Sequence, residues 1–513
     1  MADVKRSEMP KDISTLEAGE LQDISHRDKA QDHALAIIGH DRIEFTAQEN
    51  AAVLRKIDLH LLPLLMWVYM IQFADKTSLN YASVMGIRDD THLDPNSQQY
   101  SWVSSIFYAG YILWEFPTTY LLRKLPLGRY TSTNVILWGV VLTCTAAAQN
   151  YSGLLALRFF LGALEATVTP AFVLFSSLWY QRTEQAKRVN AWLACNGIAT
   201  LIMAPFAYGL SGATSTALPT WRILFLLLGL LTVVTGTFLL WYMPDSQANA
   251  RFLNPKERQI ATERVRSNFQ GIGGYGWDWY QFREAFRDPR TYLYVLYSLL
   301  MNIPNGGITT FGSLIIKSFG FDNRMALLLQ MPGGLVDIVC KIGFGVLSDK
   351  LVDRSIPAVI AILIPMIGGI LMIVIPSHMS AGLLVGYYCI SCAGASWGLV
   401  MVMISNNTIG HTKKVTVNGL QILAYGAGNW IGPQTFRAYD APDYLHGKLM
   451  VAIMYGGAAC VLLAIRIVNI VENKRRDKAQ DQAISGTGST MEDAQGDFTD
   501  QTDFQQKAFR YIV

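Results

Sequence analysis

The stretch Leu59-His-Leu-Leu-Pro-Leu-Leu-Met-Trp-Val-Tyr-Met-Ile-Gln-Phe-Ala-Asp-Lys-Thr-Ser-Leu-Asn-Tyr81 decides the fold. A helix needs about 20 largely apolar residues to cross the roughly 30 Å hydrocarbon core of a bilayer, and this run supplies them. Near its end stand two adjacent charges, Asp75 and Lys76. On a lipid-facing helix each would cost about 3 kcal/mol at mid-bilayer, so both must face protein or water. A lone span offers no such shelter. The fold is therefore expected to be a bundle of spans with this one lining its interior.

The rest of the 513 residues agrees. Hydrophobic residues make up 51% of the chain and charged ones 16%, with mean hydropathy +0.25; a soluble domain carries about 25% charge. A large soluble enzyme, a secreted globule and a single-span anchor are excluded. Twelve apolar segments can be marked, at 59–81, 100–122, 131–149, 153–180, 189–210, 221–243, 291–316, 326–347, 357–375, 381–404, 415–436 and 449–470. The reading is an all-α polytopic membrane protein of twelve transmembrane helices. Its parts are an N-terminal tail with a short surface helix (1–58), six spans (59–243), a hydrophilic central loop (244–290), six more spans (291–470) and a disordered tail (471–513). The net charge of +3 implies no nucleic-acid surface.

Thr46-Ala-Gln-Glu49 is a capping-box pattern that starts a helix leading to the membrane, and Asn254-Pro-Lys-Glu257 starts another in the central loop. The short loops at one face hold Arg123, Lys124, Arg129, Arg182, Lys187, Arg188, Lys350, Arg354, Lys413 and Lys414, which places both termini and the central loop in the cytoplasm. The absence of an early apolar run leaves the first span to act as its own insertion signal. The six cysteines lie in or beside apolar segments, so Cys389-x-x-Cys392 reads as small side chains at a helix contact rather than a redox pair.

The chemistry rests on ionisable residues inside apolar spans: Asp75, Lys76, Glu115, Arg158, Glu165, Asp337 and Lys341. Facing lipid, the seven would cost roughly 20 kcal/mol together. Arg158 and Glu165, seven positions apart, share one helix face; Asp337 and Lys341 have i, i+4 spacing and read as a structural pair. A half-dry cation binds an anion strongly, arginine through a planar fork that matches a carboxylate. Neighbouring carboxylates are protonated when desolvated and ionised when paired, so such a set can couple protons to an anion. The competing reading is a static ion-pair network bracing the first and fourth spans.

Several stretches, in order and spacing, resemble the major facilitator superfamily. They are Phe73-Ala-Asp-Lys-Thr-Ser-Leu-Asn-Tyr81, Arg158-Phe-Phe-Leu-Gly-Ala-Leu-Glu-Ala166, Trp221-Arg-Ile-Leu-Phe225, Asn302-Ile-Pro-Asn-Gly-Gly307, Leu329-Gln-Met-Pro332, Asn406-Asn-Thr-Ile-Gly-His-Thr-Lys-Lys414 and Gly428-Asn-Trp-Ile-Gly-Pro-Gln434. Within it the chain is similar to the anion:cation symporters, in the fungal allantoate permease branch. The resemblance implies two six-helix bundles, Asp75 and Glu165 as proton-responsive acids, and Lys76 and Arg158 as anion-binding cations. Many relatives carry Arg in place of Lys76, and Arg123 stands near where the superfamily usually has an acid. Asn80, Asn302, Asn305, Gln330, Asn429 and Gln434 are polar residues in apolar spans, suited either to finish the substrate site or to make interhelical hydrogen bonds.

The expected function is proton-coupled symport of a small organic anion, such as an allantoate-like ureide or a vitamin acid, by a monomeric multi-pass protein of the plasma membrane. The alternatives are export of a secondary metabolite by proton antiport, and a transporter-like nutrient sensor. Nothing suits a nucleophile, metal or nucleotide, so no enzyme activity and no cofactor are expected; the partners are substrate, protons and lipid, with no nucleic acid.

Overall fold

The computed structural model describes residues 45–213, 217–265, 277–351, 353–487 and 501–513. Among them every regular element is helical. The first half comprises α1 (Ala47–Val84), α2 (Gln99–Lys124), α3 (Leu127–Thr145), α4 (Tyr151–Glu165), α5 (Val168–Trp179), α6 (Arg182–Leu193), α7 (Cys195–Ser211) and α8 (Thr220–Tyr242). Two short helices follow, α9 (Pro255–Arg264) and α10 (Trp279–Arg287). The second half comprises α11 (Pro289–Ser318), α12 (Asn323–Leu328), α13 (Met331–Leu351), α14 (Ser355–Val374), α15 (Ser380–Ile390), α16 (Ala393–Asn407), α17 (His411–Gln434) and α18 (Leu445–Thr487).

Among the described residues nine helical stretches are long and apolar enough to cross a membrane. Three of the marked segments fall instead on α2, α3 and α17, helices of 26, 19 and 24 residues that are not among the nine. Aromatic and aliphatic side chains such as Leu113, Phe116, Phe160, Val234 and Ile467 stand exposed on the outside, as a lipid-facing surface requires.

Four of the nine are broken by a turn: α4–α5, α6–α7, α12–α13 and α15–α16. Proline explains two of the breaks. Pro170 and Pro332 have no N–H to offer the carbonyls of Ala166 and Leu328, four residues back. Glu165 is the last residue of α4 and Gln330 lies in the turn before α13, so both breaks place polar side chains within a spanning stretch.

The helices gather into two groups, α1–α8 and α11–α18, each held by close pairs: α3 with α8 and α2 with α4 in the first, α11 with α17 and α14 with α18 in the second. Small residues set the spacing. A Cβ on Gly162 would sit 1.9 Å from the Phe107 carbonyl oxygen, and one on Gly110 would sit 2.1 Å from that of Phe159, so α2 and α4 touch backbone to backbone.

The end at which α1 begins is here called basal and the opposite end apical. At the basal end the central segment divides its loyalty. Helix α9 docks on the first group through Lys56–Glu257 (2.8 Å) and Arg264–Glu184 (2.7 Å), whereas α10 docks on the second through Lys413–Glu284 (3.0 Å). Both capping boxes expected from sequence are present, at Thr46/Glu49 and Asn254/Glu257. Thr46 caps a helix that runs without interruption into the first span, so the surface helix and the span are one element. Residues 1–44 lie outside the described set.

The segment 471–513, expected to be disordered, differs from that expectation in its described parts, while 488–500 lie outside the described residues. Helix α18 continues to Thr487, and 501–513 pack back on the basal end of the second group. The physical reason is that this stretch carries partners for buried charges, Asp503 above all, which composition alone does not reveal.

Candidate functional site

A small pocket lies between the two groups, lined by Lys76, Leu79, Ser104, Phe107, Tyr108, Arg158, Thr309 and Thr310. Lys76 projects from α1. Its ammonium donates to the Tyr425 hydroxyl at 3.2 Å and lies 5.6 Å from the ring centres of both Tyr108 and Tyr425. Arg158, on α4, is 3% exposed. Its guanidinium rests 5.5 Å from the centre of the Phe225 ring. Its Nε and Nη2 have no hydrogen-bond partner among the described residues.

The two carboxylates sit behind these cations. Asp75 is fully buried and accepts from Trp138 Nε1 at 2.6 Å, with the Ser78 hydroxyl 3.4 Å away. Arg158 acts on its charge. Glu165 is 3% exposed, lies beside Gln72, and has one carboxylate oxygen without a partner among the described residues. Asp75, Lys76 and Arg158 all act on Glu165's charge, so the four form one electrostatic group.

The polar residues expected to complete the site divide differently. Asn80 donates to Gln330 Oε1 at 2.7 Å and accepts from the Ser313 backbone N–H at 2.7 Å, while Gln330 donates to the Ser313 hydroxyl at 2.7 Å. Asn305 donates to Asn429 Oδ1 at 2.8 Å, and Asn429 donates to Asn302 Oδ1 at 3.3 Å. Gln434 donates to Ser105 at 3.0 Å. None of these six lines the pocket; they join helices. The Asn80–Gln330–Ser313 set belongs to an apical closure between the groups. Tyr100 donating to the Thr310 carbonyl (2.9 Å), Ser104 with Thr310 (2.6 Å), and Gln98 accepting from the Ala438 N–H (2.8 Å) complete that closure.

Asp337 and Lys341 make the expected pair, at 2.7 Å. Glu115 is buried with one carboxylate oxygen unpartnered among the described residues. Sequence reasoning missed Trp138, Tyr108 and Tyr425. A signal existed for the first: tryptophan favours membrane interfaces, and Trp138 lies mid-helix in α3. Tyrosines within spans carry no comparable mark.

With the geometry established, likeness to known proteins becomes decisive. The sequence model described as Major Facilitator Superfamily matches residues 65–433. The chain belongs to the major facilitator superfamily. Within the family it is 36% identical over 504 residues to an uncharacterized transporter of Schizosaccharomyces pombe, covering 98% of this chain and 96% of that one. It is 34% identical over 484 residues to the allantoate permease of Saccharomyces cerevisiae, covering 92% and 88%. A thiamine pathway transporter of the same yeast is 34% identical over 470 residues, covering 90% and 86%. Among solved structures, the fold matches the xylose transporter XylE from E. coli in its inward open conformation (TM-score 0.62, 12% identity, 78% of this chain and 95% of that one). It also matches a bacterial homolog of the human lysosomal transporter Spinster (TM-score 0.60, 15% identity, 80% and 96%). The chain is thus a multi-pass membrane transporter, and not an enzyme.

Proposed function

We propose that the protein is a proton-coupled symporter of a small organic anion, working by alternating access. The supporting observation is the Arg158 guanidinium, buried beside the pocket with two nitrogens unpartnered among the described residues. A buried guanidinium gains most from a planar carboxylate that accepts both N–H groups. Lys76 supplies a second positive charge from the facing helix, held meanwhile by a neutral hydroxyl that an anion can displace. Asp75 and Glu165 are placed to take up protons when that charge balance changes.

The direction of coupling follows from electrostatics. Bringing one negative charge into an inside-negative cell costs about 2.3 kcal/mol per 100 mV, and one accompanying proton cancels that cost. The likeness to an allantoate permease supports a carboxylate of ureide size. The basic residues of the basal loops support both termini in the cytoplasm, and the plasma membrane is the proposed location. The partners are the anion, protons and lipid, with a monomer as the working unit.

The test is uptake of radiolabelled carboxylates, allantoate among them, at external pH 7.5 and 5.5. Uptake rises on acidification, and Glu165→Gln abolishes net accumulation while preserving exchange of internal for external substrate. Equal loss of accumulation and exchange in that variant sinks the coupling role.

A further inference from the structure

The basal end of the second group contains an occupied groove that the transport reading does not use. Lys413, at the start of α17, is 1% exposed and meets Glu284 and Asp288 at 3.0 Å each and Asp503 at 2.7 Å. Arg290, at the start of α11, meets Asp288 at 2.8 Å and Asp503 at 3.0 Å. Asp503 is fully buried, and its carboxylate also accepts from the Tyr511 hydroxyl at 2.7 Å. The aromatic rings of the same segment cover the two cations: Phe504 lies 4.1 Å from the Lys413 ammonium, and Tyr511 lies 3.6 Å from the Arg290 guanidinium.

The remaining contacts read the backbone of the segment. Asn407 and Asn473 each exchange two hydrogen bonds with it, Asn407 at Ile512 (2.7 and 2.8 Å) and Asn473 at Tyr511 (2.8 and 2.9 Å). Arg476 donates to the carbonyls of Asp503, Gln506 and Phe509 and to the Tyr511 hydroxyl. The Arg354 N–H donates to the Val513 carbonyl at 2.8 Å. Paired asparagine contacts to successive backbone groups and an arginine spanning several carbonyls are how a peptide ligand is held. The donors come from α11, α16, α17, α18 and the turn before α14, five separate parts of one bundle.

We propose that this groove is a peptide-binding site, and that 501–513 is its ligand in cis, a releasable strap, anchored by the Asp503 carboxylate and by aromatic rings, that fixes the basal ends of α11, α16, α17 and α18 in one arrangement. The strap touches the second group and α10, so its release loosens that end of one bundle and leaves the other unchanged. Charge governs the docking. The Thr502 hydroxyl donates to Glu284 at 2.9 Å, so an acidic side chain at that position would confront a carboxylate and expel the strap. The inference stands apart from the identity of the transported solute.

Hydrogen–deuterium exchange of the full chain in lipid nanodiscs tests it. The amides of Tyr511 and Ile512, both hydrogen-bonded to side chains, exchange at least tenfold slower than in an unstructured peptide. Arg476→Ala brings them to the unstructured rate and at the same time speeds exchange over 279–287 and 407–416, with 127–145 unchanged. Thr502→Asp does the same, and Thr502→Val keeps the protection. Exchange of residues 511 and 512 in the parent protein at the unstructured rate overturns the proposal, whether or not the variants fold. So does release that leaves 279–287 and 407–416 unaffected, or that loosens 127–145 equally.

Discussion

Removing the Asn80 side chain gives the sharpest probe of alternating access. Asn80 is 2% exposed and ties the first group to the second by two hydrogen bonds of 2.7 Å, to Gln330 and to the Ser313 N–H. Each bond contributes about 0.5–1.5 kcal/mol net, so Asn80→Ala weakens the apical closure by roughly 1–3 kcal/mol. The helices keep their own contacts, so the loss falls on the equilibrium between apically closed and apically open states. That energy corresponds to about a 5- to 150-fold shift in the ratio of the two. The assay is labelling of a single cysteine, Thr309→Cys, in the pocket wall of a chain whose native cysteines have been replaced. A membrane-impermeant maleimide is applied to intact cells and to inverted vesicles, so that each face is sampled. Apical labelling speeds by at least fivefold in Asn80→Ala, and basal labelling slows. Unchanged apical labelling in a properly folded variant refutes the idea that these bonds close the apical side.

Three further outcomes are expected. Lys76→Met removes a charged donor worth about 1.5–3 kcal/mol to a bound anion and raises the KM for uptake roughly 10- to 150-fold, whereas Lys76→Arg keeps uptake; kinetics in vesicles decide this. Gly162→Ala places a methyl 1.9 Å from a backbone oxygen that no rotamer change can move, so overpacking costs about 1–3 kcal/mol and thermal unfolding of the purified protein shifts downward. Burial would raise the carboxyl of Asp288, but Arg290 and Lys413 beside it hold it below its ordinary 3.8. A depressed carboxyl contributes stability that is complete above the ordinary value and lost as pH falls through the folded one. The stability of the purified protein, measured by thermal unfolding, therefore keeps this contribution from pH 7 to 4.5 and loses it as pH falls below 3.8.

Much of this was legible because lipid imposes a strict grammar. An ionisable residue inside an apolar run must face the interior, which is why the sequence alone points Lys76 and Arg158 to a pocket. The amides obey a weaker rule. An Asn or Gln in a span needs a partner, and another helix serves as well as a substrate, so Asn302, Asn305 and Asn429 could satisfy one another without declaring it in sequence. The basal strap was hidden for the opposite reason. It is too short to show a periodic pattern, and the energy of its docking resides in side chains of α11, α17 and α18 that its own sequence does not announce.

The division of labour between the two groups constrains how coupling can work. Asp75, Lys76, Arg158 and Glu165 all belong to the first, while among the described residues the second meets the pocket and Lys76 with neutral groups, Thr309, Thr310 and Tyr425. Under the alternating-access reading, rocking one group against the other leaves the charges in fixed mutual relation and changes which neutral wall faces them. Under the symport reading, protonation is then settled within the first group, and the second decides only which side of the membrane can reach it. Exchanging Thr310 for Val would therefore alter the rate of access and leave the pH dependence of uptake where it was, whereas Trp138→Phe, which strips Asp75 of its 2.6 Å donor, would move that pH dependence without changing sidedness. If both variants moved the same parameter, the charges and the gate would not be separable, and the coupling would have to be sought across the interface instead.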